Sequence, residues 1–118
     1  MTLRPGPITT HVLDTARGLP ARGISVTLEM QTEAYRPRIL GTGRTDDDGR
    51  LRDLLWPGHV LEPGTYRLIF DTAAYFAATN TPTFYPSVQI AFTITAPTQH
   101  YHVPLLLSPY GYSTYRGT

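Results

Sequence analysis

Four histidines are spread along the 118 residues, at positions 11, 59, 100 and 102, and the last two fall in the run that carries most of the chain's chemistry. That run, His100-Tyr101-His102-Val103-Pro104-Leu105-Leu106-Leu107-Ser108, is followed by the segment from Pro109 to Thr118. Its nineteen residues together hold two imidazoles, four tyrosines, an arginine and the terminal carboxylate. An unperturbed imidazole titrates near pH ~6.5, so it can take or give a proton at neutral pH. Side chains alternate along a strand, which sets His100, His102, Pro104 and Leu106 on one face and Tyr101, Val103, Leu105 and Leu107 on the other. One face is apolar and the other carries imidazoles. Pro109 and Gly111 end the run, and Tyr112-Ser113-Thr114-Tyr115 offers a second short strand.

The other candidate groups are weaker when taken singly. His11 lies in an extended stretch from Ile8 to Leu13, on the face it shares with Leu13; a lone histidine in such a place is more often structural than functional. His59, after Pro57-Gly58, reads as an exposed loop histidine. In Thr45-Asp46-Asp47-Asp48-Gly49-Arg50 the Asp-Gly pair supplies the positive φ of a tight hairpin, with Arg50 opening the next strand. The three aspartates lack the alternating ligands and the twelfth-position glutamate of a calcium loop, so capping and turn solvation are their expected roles. Arg50 alone is an ordinary surface arginine.

The elements that must position these groups are strands. Ile24, Val26, Leu28 and Met30 alternate with polar residues, as do Tyr66, Leu68 and Phe70, and Val88, Ile90, Phe92 and Ile94. Tyr35 to Leu40 is a weaker strand candidate, Thr42 to Thr45 continues it, and Leu51 to Trp56 is a short apolar segment. Asp71 to Asn80, with four alanines and an aspartate able to cap, predicts the single short helix. The expected architecture is all-β, a two-sheet antiparallel sandwich of seven or eight strands with one short helix. Residues 1–7, interrupted by two prolines, are read as a flexible segment ahead of a single domain over 8–118.

Composition narrows the function classes. The formal net charge of +1 and the scattered arginines leave no basic stripe to neutralise nucleic-acid phosphates. With no cysteine there are no disulfides, thiolate nucleophiles or thiolate-held zinc. No apolar run approaches the ~20 residues needed to span a bilayer, and no secretory leader is seen. The expectation is a cytoplasmic protein that binds neither nucleic acid nor membrane.

Several of these motifs coincide in one family. Thr10-His11-Val12-Leu13-Asp14, the Thr45 to Arg50 turn, Tyr66-Arg67, Phe84-Tyr85-Pro86, the His100 to Ser108 run and the ending Tyr115-Arg116-Gly117-Thr118 together resemble the transthyretin-related 5-hydroxyisourate hydrolases. The resemblance covers nearly everything from Ile8 onward. It implies a transthyretin-like sandwich that hydrolyses 5-hydroxyisourate to 2-oxo-4-hydroxy-4-carboxy-5-ureidoimidazoline in urate catabolism. Carried over residue by residue, it makes His11, Arg50 and His102 the catalytic set. Tyr115, Arg116, Gly117 and Thr118 then line the substrate site. The family usually ends in serine; Thr118 keeps the hydroxyl and adds a methyl.

Water attack on a ring carbonyl needs a base and a donor for the developing oxyanion, roles that imidazole and guanidinium can fill. A zinc site is disfavoured by the guanidinium beside the histidines, and no cofactor or metal is expected. His100 is expected to be a supporting or exposed residue. The family also implies a homotetramer, a dimer of dimers built by edge-strand pairing, with the sites at the dimer–dimer interface. The alternative reading is a transthyretin-like carrier of a small aromatic ligand without catalysis; an adhesion-type sandwich without chemistry is a third.

Overall fold

The alternating runs become strands, nine in all, in the computed structural model, which describes residues 4–32 and 36–118. They are β1 (Ile8–Asp14), β2 (Leu19–Pro20), β3 (Ser25–Met30), β4 (Arg38–Arg44), β5 (Arg50–Leu51), β6 (Gly64–Phe70), β7 (Val88–Ile94), β8 (Tyr101–Ser108) and β9 (Gly111–Thr114). The one helix, α1, spans Thr72–Ala77, and Asp71 caps it by accepting from the Ala74 amide at 3.3 Å. The weak strand candidate from Tyr35 begins at Arg38; Tyr35 itself lies outside the described residues, as do residues 1–3 of the N-terminal segment. The described end of that segment is tied down. Gly6 donates to the Arg52 carbonyl at 2.8 Å and is buried, and the Pro7 carbonyl accepts from the Tyr101 amide at 2.9 Å.

Two sheets form the layers. One runs β2-β1-β8-β9, with β5 also paired to β1; the other runs β4-β3-β6-β7. Every pairing is antiparallel except that of β1 with β8, which is parallel. Two of the nine, β2 and β5, are two residues each and both lie along β1. β5 begins at Arg50, where the sequence opens a strand, whereas β2 is too short to show a period and only its neighbour reveals it. The Asp46 to Gly49 turn is not a hairpin either. Its flanking strands, β4 and β5, belong to different sheets, so it carries the chain across the sandwich.

The apolar sets close the core between the layers. Val26 and Leu28 of β3, Tyr66, Leu68 and Phe70 of β6, Val88 and Ile94 of β7, and Leu105 and Leu107 of β8 are all almost completely buried. Each such side chain contributes roughly 1.5–3 kcal/mol by leaving water. In β1 the inward residues are Ile8, Thr10, Val12 and Asp14, and the register sets them beside Tyr101, Val103, Leu105 and Leu107. That register fixes the opposite face too: Thr9 lies beside His102, His11 beside Pro104 and Leu13 beside Leu106. Two buried polar groups are anchored. The Asp14 carboxylate accepts from the Ala16 and Arg17 amides, both at 3.1 Å, and from the Tyr75 hydroxyl at 2.7 Å. Glu29 accepts from Arg67 Nε at 3.0 Å and Nη2 at 2.6 Å. Among the described residues no helix is long and apolar enough to cross a membrane.

Candidate active site

The outward face of β1 and β8 gathers the polar chemistry. Arg50 reaches it because β5 pairs with β1 so that His11 and Arg50 are direct neighbours across the strands. The preceding turn holds β5 in place: Asp46 Oδ1 accepts from the Asp48 and Arg50 amides at 2.9 Å, and the Gly49 carbonyl accepts from the Val12 amide at 2.8 Å. Gly49 sits at φ +76°, and a Cβ there would come within 2.4 Å of the Val12 carbonyl oxygen. Glycine is therefore required twice over, for its backbone angle and for close approach.

A cleft of about 190 Å³ opens on this face, lined by Pro5, Thr9, Thr10, Arg50, Arg52, His100, His102 and Thr118. Of the seven residues expected at the site, Arg50, His102 and Thr118 line it directly. Gly117 is bridged to His102, its amide donating to the His102 carbonyl at 2.8 Å. His11 stands beside Arg50, and its Nε2 donates to the Asp48 carbonyl at 2.9 Å, so a neutral His11 ring keeps its lone pair on Nδ1. Tyr115 and Arg116 border a separate depression that also touches His102. Arg116 stacks on the Tyr101 ring, 4.6 Å from its centroid, and donates to Gln99 Oε1 at 2.9 Å.

Among the lining residues not singled out in the sequence as parts of a site, Thr9 and Arg52 matter most. Thr9 is 5% exposed and its hydroxyl contacts His102 Nδ1 at 2.8 Å and His100 Nε2 at 3.0 Å. The signal for it was available, since alternation puts Thr9 and His11 on one face. Arg52 has none; it adds a second guanidinium, held 3.6 Å from Asp46.

Burial holds His102 below the usual imidazole range, and the Arg50 guanidinium pushes it in the same direction. The ring is thus neutral at pH 7 and able to accept a proton. A neutral imidazole and a guanidinium in one shallow cleft can deprotonate a water while stabilising negative charge on an oxygen. Among the described residues no three histidine or carboxylate side chains converge as a metal site would require. A larger hollow of about 690 Å³, bounded by Arg17, Arg22, Arg44 and Tyr75, contains no histidine.

Fold and face together define a two-sheet, transthyretin-like sandwich that gathers imidazole and guanidinium side chains on one sheet. The family model described as "HIUase/Transthyretin family" matches residues 8–117, and the chain belongs to that family. It is 48% identical over 119 residues to the 5-hydroxyisourate hydrolase of Mus musculus, covering 100% of both chains. The solved 5-hydroxyisourate hydrolase of Klebsiella pneumoniae superposes with a TM-score of 0.83 at 33% identity, covering 96% of this chain and 99% of that one. Transthyretin from Sparus aurata superposes equally well, with a TM-score of 0.87 at 28% identity over 94% of this chain and 96% of its own.

Proposed function

We propose that this protein is a hydrolase that opens 5-hydroxyisourate in urate catabolism, with His102 as the base for water and Arg50 as the donor to the developing oxyanion. The observation that carries this reading is the convergence of Arg50 and His102 in one cleft. The likeness to named hydrolases over the whole chain supports it. A planar guanidinium offers a fork of donors matched to the carbonyl oxygens of a flat heterocycle. His11, beside Arg50, confines the substrate on the β1 side, and Thr118 presents its hydroxyl at the rim. Gly117 lets the tail lie against the His102 ring, while Tyr115 and Arg116 hold that tail in register. No cofactor or metal enters the scheme.

The working assembly is a homotetramer in which the polar faces of β1 and β8 meet those of neighbouring copies. A shallow cleft gains the walls it needs for a small substrate in that way. We place the reaction in the cytoplasm, whose reducing conditions suit a cysteine-free chain.

Purified protein should accelerate the decay of freshly generated 5-hydroxyisourate well above its spontaneous rate, followed by ultraviolet absorbance. An unchanged decay rate would refute the proposal. The likeness to transthyretin keeps a second reading, a carrier of a small aromatic ligand, in the same test. Saturable binding of an iodinated aromatic by protein that leaves the decay rate unchanged would select it.

A further inference from the structure

Thr9 is the one hydroxyl in the cleft that two imidazoles share, and this constrains the protons of both rings. Its oxygen lies 2.8 Å from His102 Nδ1 and 3.0 Å from His100 Nε2, and the residue is buried beneath them. A hydroxyl has a single proton to donate. It can donate to only one of the rings, so at least one of them donates an N–H to it, and the two tautomers are linked. Thr9 itself is held in place because β1 pairs with β8 throughout its length and sets it beside His102.

Besides the arrangement in which both rings donate to the Thr9 oxygen, which also puts the His102 proton on Nδ1, two arrangements satisfy the chain. In one, His102 Nδ1–H donates to Thr9 and the Thr9 hydroxyl donates to His100 Nε2. In the other, both bonds run in the opposite direction and His102 carries its proton on Nε2. The first is favoured on two grounds. Arg50 lines the same cleft, and a nearby guanidinium prefers a bare ring nitrogen to an additional N–H. His100 is exposed, so its Nδ1–H can donate to water while Nε2 accepts from Thr9.

We infer that Thr9 is a positioning residue that holds His102 in the Nδ1-protonated tautomer, with His100 as the terminal acceptor, leaving His102 Nε2 bare to act on the substrate. This rests on His102 serving as the base in the proposed hydrolysis. The role parallels that of any group that fixes which nitrogen of a catalytic imidazole is free. It separates the two histidines of the β8 run: His102 meets the substrate and His100 orients it through Thr9.

Imidazole nitrogen NMR of the intact protein at pH 8, together with steady-state kinetics on 5-hydroxyisourate, tests this. The unmodified protein should show His102 protonated at Nδ1 and bare at Nε2. Thr9→Val, which keeps the shape and removes the hydroxyl, should abolish that preference and lower kcat by roughly tenfold or more with KM within about twofold. Thr9→Ser should retain both the tautomer and the rate. A His102 found protonated at Nε2 in the unmodified protein overturns the inference, and so does a Thr9→Val protein with unaltered tautomer and rate. If Thr9→Val does not fold, the tautomer of the unmodified protein and of Thr9→Ser still decides. Protein that shows the expected tautomer, lost in Thr9→Val, but does not hydrolyse 5-hydroxyisourate would uphold the Thr9 tie and refute the proposed activity.

Discussion

Gly117 and His102 touch across an isolated antiparallel bridge, and the contact leaves no room for a side chain: a Cβ on Gly117 would come within 2.6 Å of His102 Cδ2. The same atom would also lie 3.3 Å from His102 Cγ and from Pro104 Cγ, so the ring is backed by the tail and by its own strand. Gly117→Ala must push the imidazole aside or lift the tail. A displacement on the order of 1 Å at a reacting group costs about a hundredfold in rate. We predict that Gly117→Ala loses on the order of tenfold to a hundredfold in kcat/KM while its circular dichroism and thermal midpoint stay near those of the parent.

Removing the reacting groups should cost more. His102→Ala and Arg50→Ala are each expected to lower kcat by roughly a hundredfold or more, the usual scale for a general base and for an oxyanion donor. Both side chains are only half-buried, so the fold should survive. Light scattering would show unchanged mass beside the lost turnover. A variant that retains full turnover removes its residue from the mechanism.

The lowered pKa of His102 gives the pH dependence a definite sign. With His102 as the proposed base, working in its neutral form, activity should be level through neutral pH and fall only below the ordinary imidazole value of about 6.5. Arg50 opposes protonation, so taking its charge away in Arg50→Gln should move the residual acid limb to higher pH. Stability follows the same linkage. On acidification the unfolded chain binds a proton at this histidine before the folded protein does, so His102 makes the fold less stable as pH drops below about 6.5. Denaturant titrations at pH 7.5 and 5.5 should show a drop that is smaller in His102→Gln.

Asp14 is a structural counterpart to these groups. Its buried carboxylate satisfies two backbone amides of the following turn and the Tyr75 hydroxyl of α1, and burial together with this carboxylate raises the Tyr75 pKa. Asp14→Ala would leave three donors without their acceptor, at about 1–3 kcal/mol each where water cannot replace it. We expect a loss of roughly 3 kcal/mol or more. Tyr75→Phe, which removes one bond, should cost about 1–2 kcal/mol. Urea unfolding midpoints would rank the two.

The sequence made the long strands legible because β3, β6, β7 and β8 each bury one face, and period-two alternation follows from that. It made α1 legible because an aspartate precedes a run of alanines. It left β2 hidden, since two residues show no period, and although it opened a strand at Arg50 it read the Asp46 to Gly49 turn as a hairpin because local chemistry does not say which sheet the next strand joins. The site divided along the same line. The His100 and His102 pair stood out within its own strand, whereas the preference for His102 came only through the family resemblance, and Arg50 and His11 acquired a joint meaning through that resemblance and, in the fold, through the β1–β5 register. Thr9 was hidden for a different reason: a threonine in a strand is ordinary, and its importance arises from two rings contributed by residues more than ninety positions away.

The parallel pairing of β1 with β8 bears on how the protein is made. Of the nine strands, the first in chain order has its longest partner in Tyr101–Ser108, and closing so long a loop is slow compared with forming local hairpins. Until that stretch is synthesised, β1 has only two-residue partners, and neither His102 nor its cleft exists. A truncated or prematurely released chain lacking β8 could retain the second sheet and much of its apolar surface, yet it would expose an unsatisfied strand edge and carry no active site. Competence for chemistry and completion of the fold therefore arrive in a single late event.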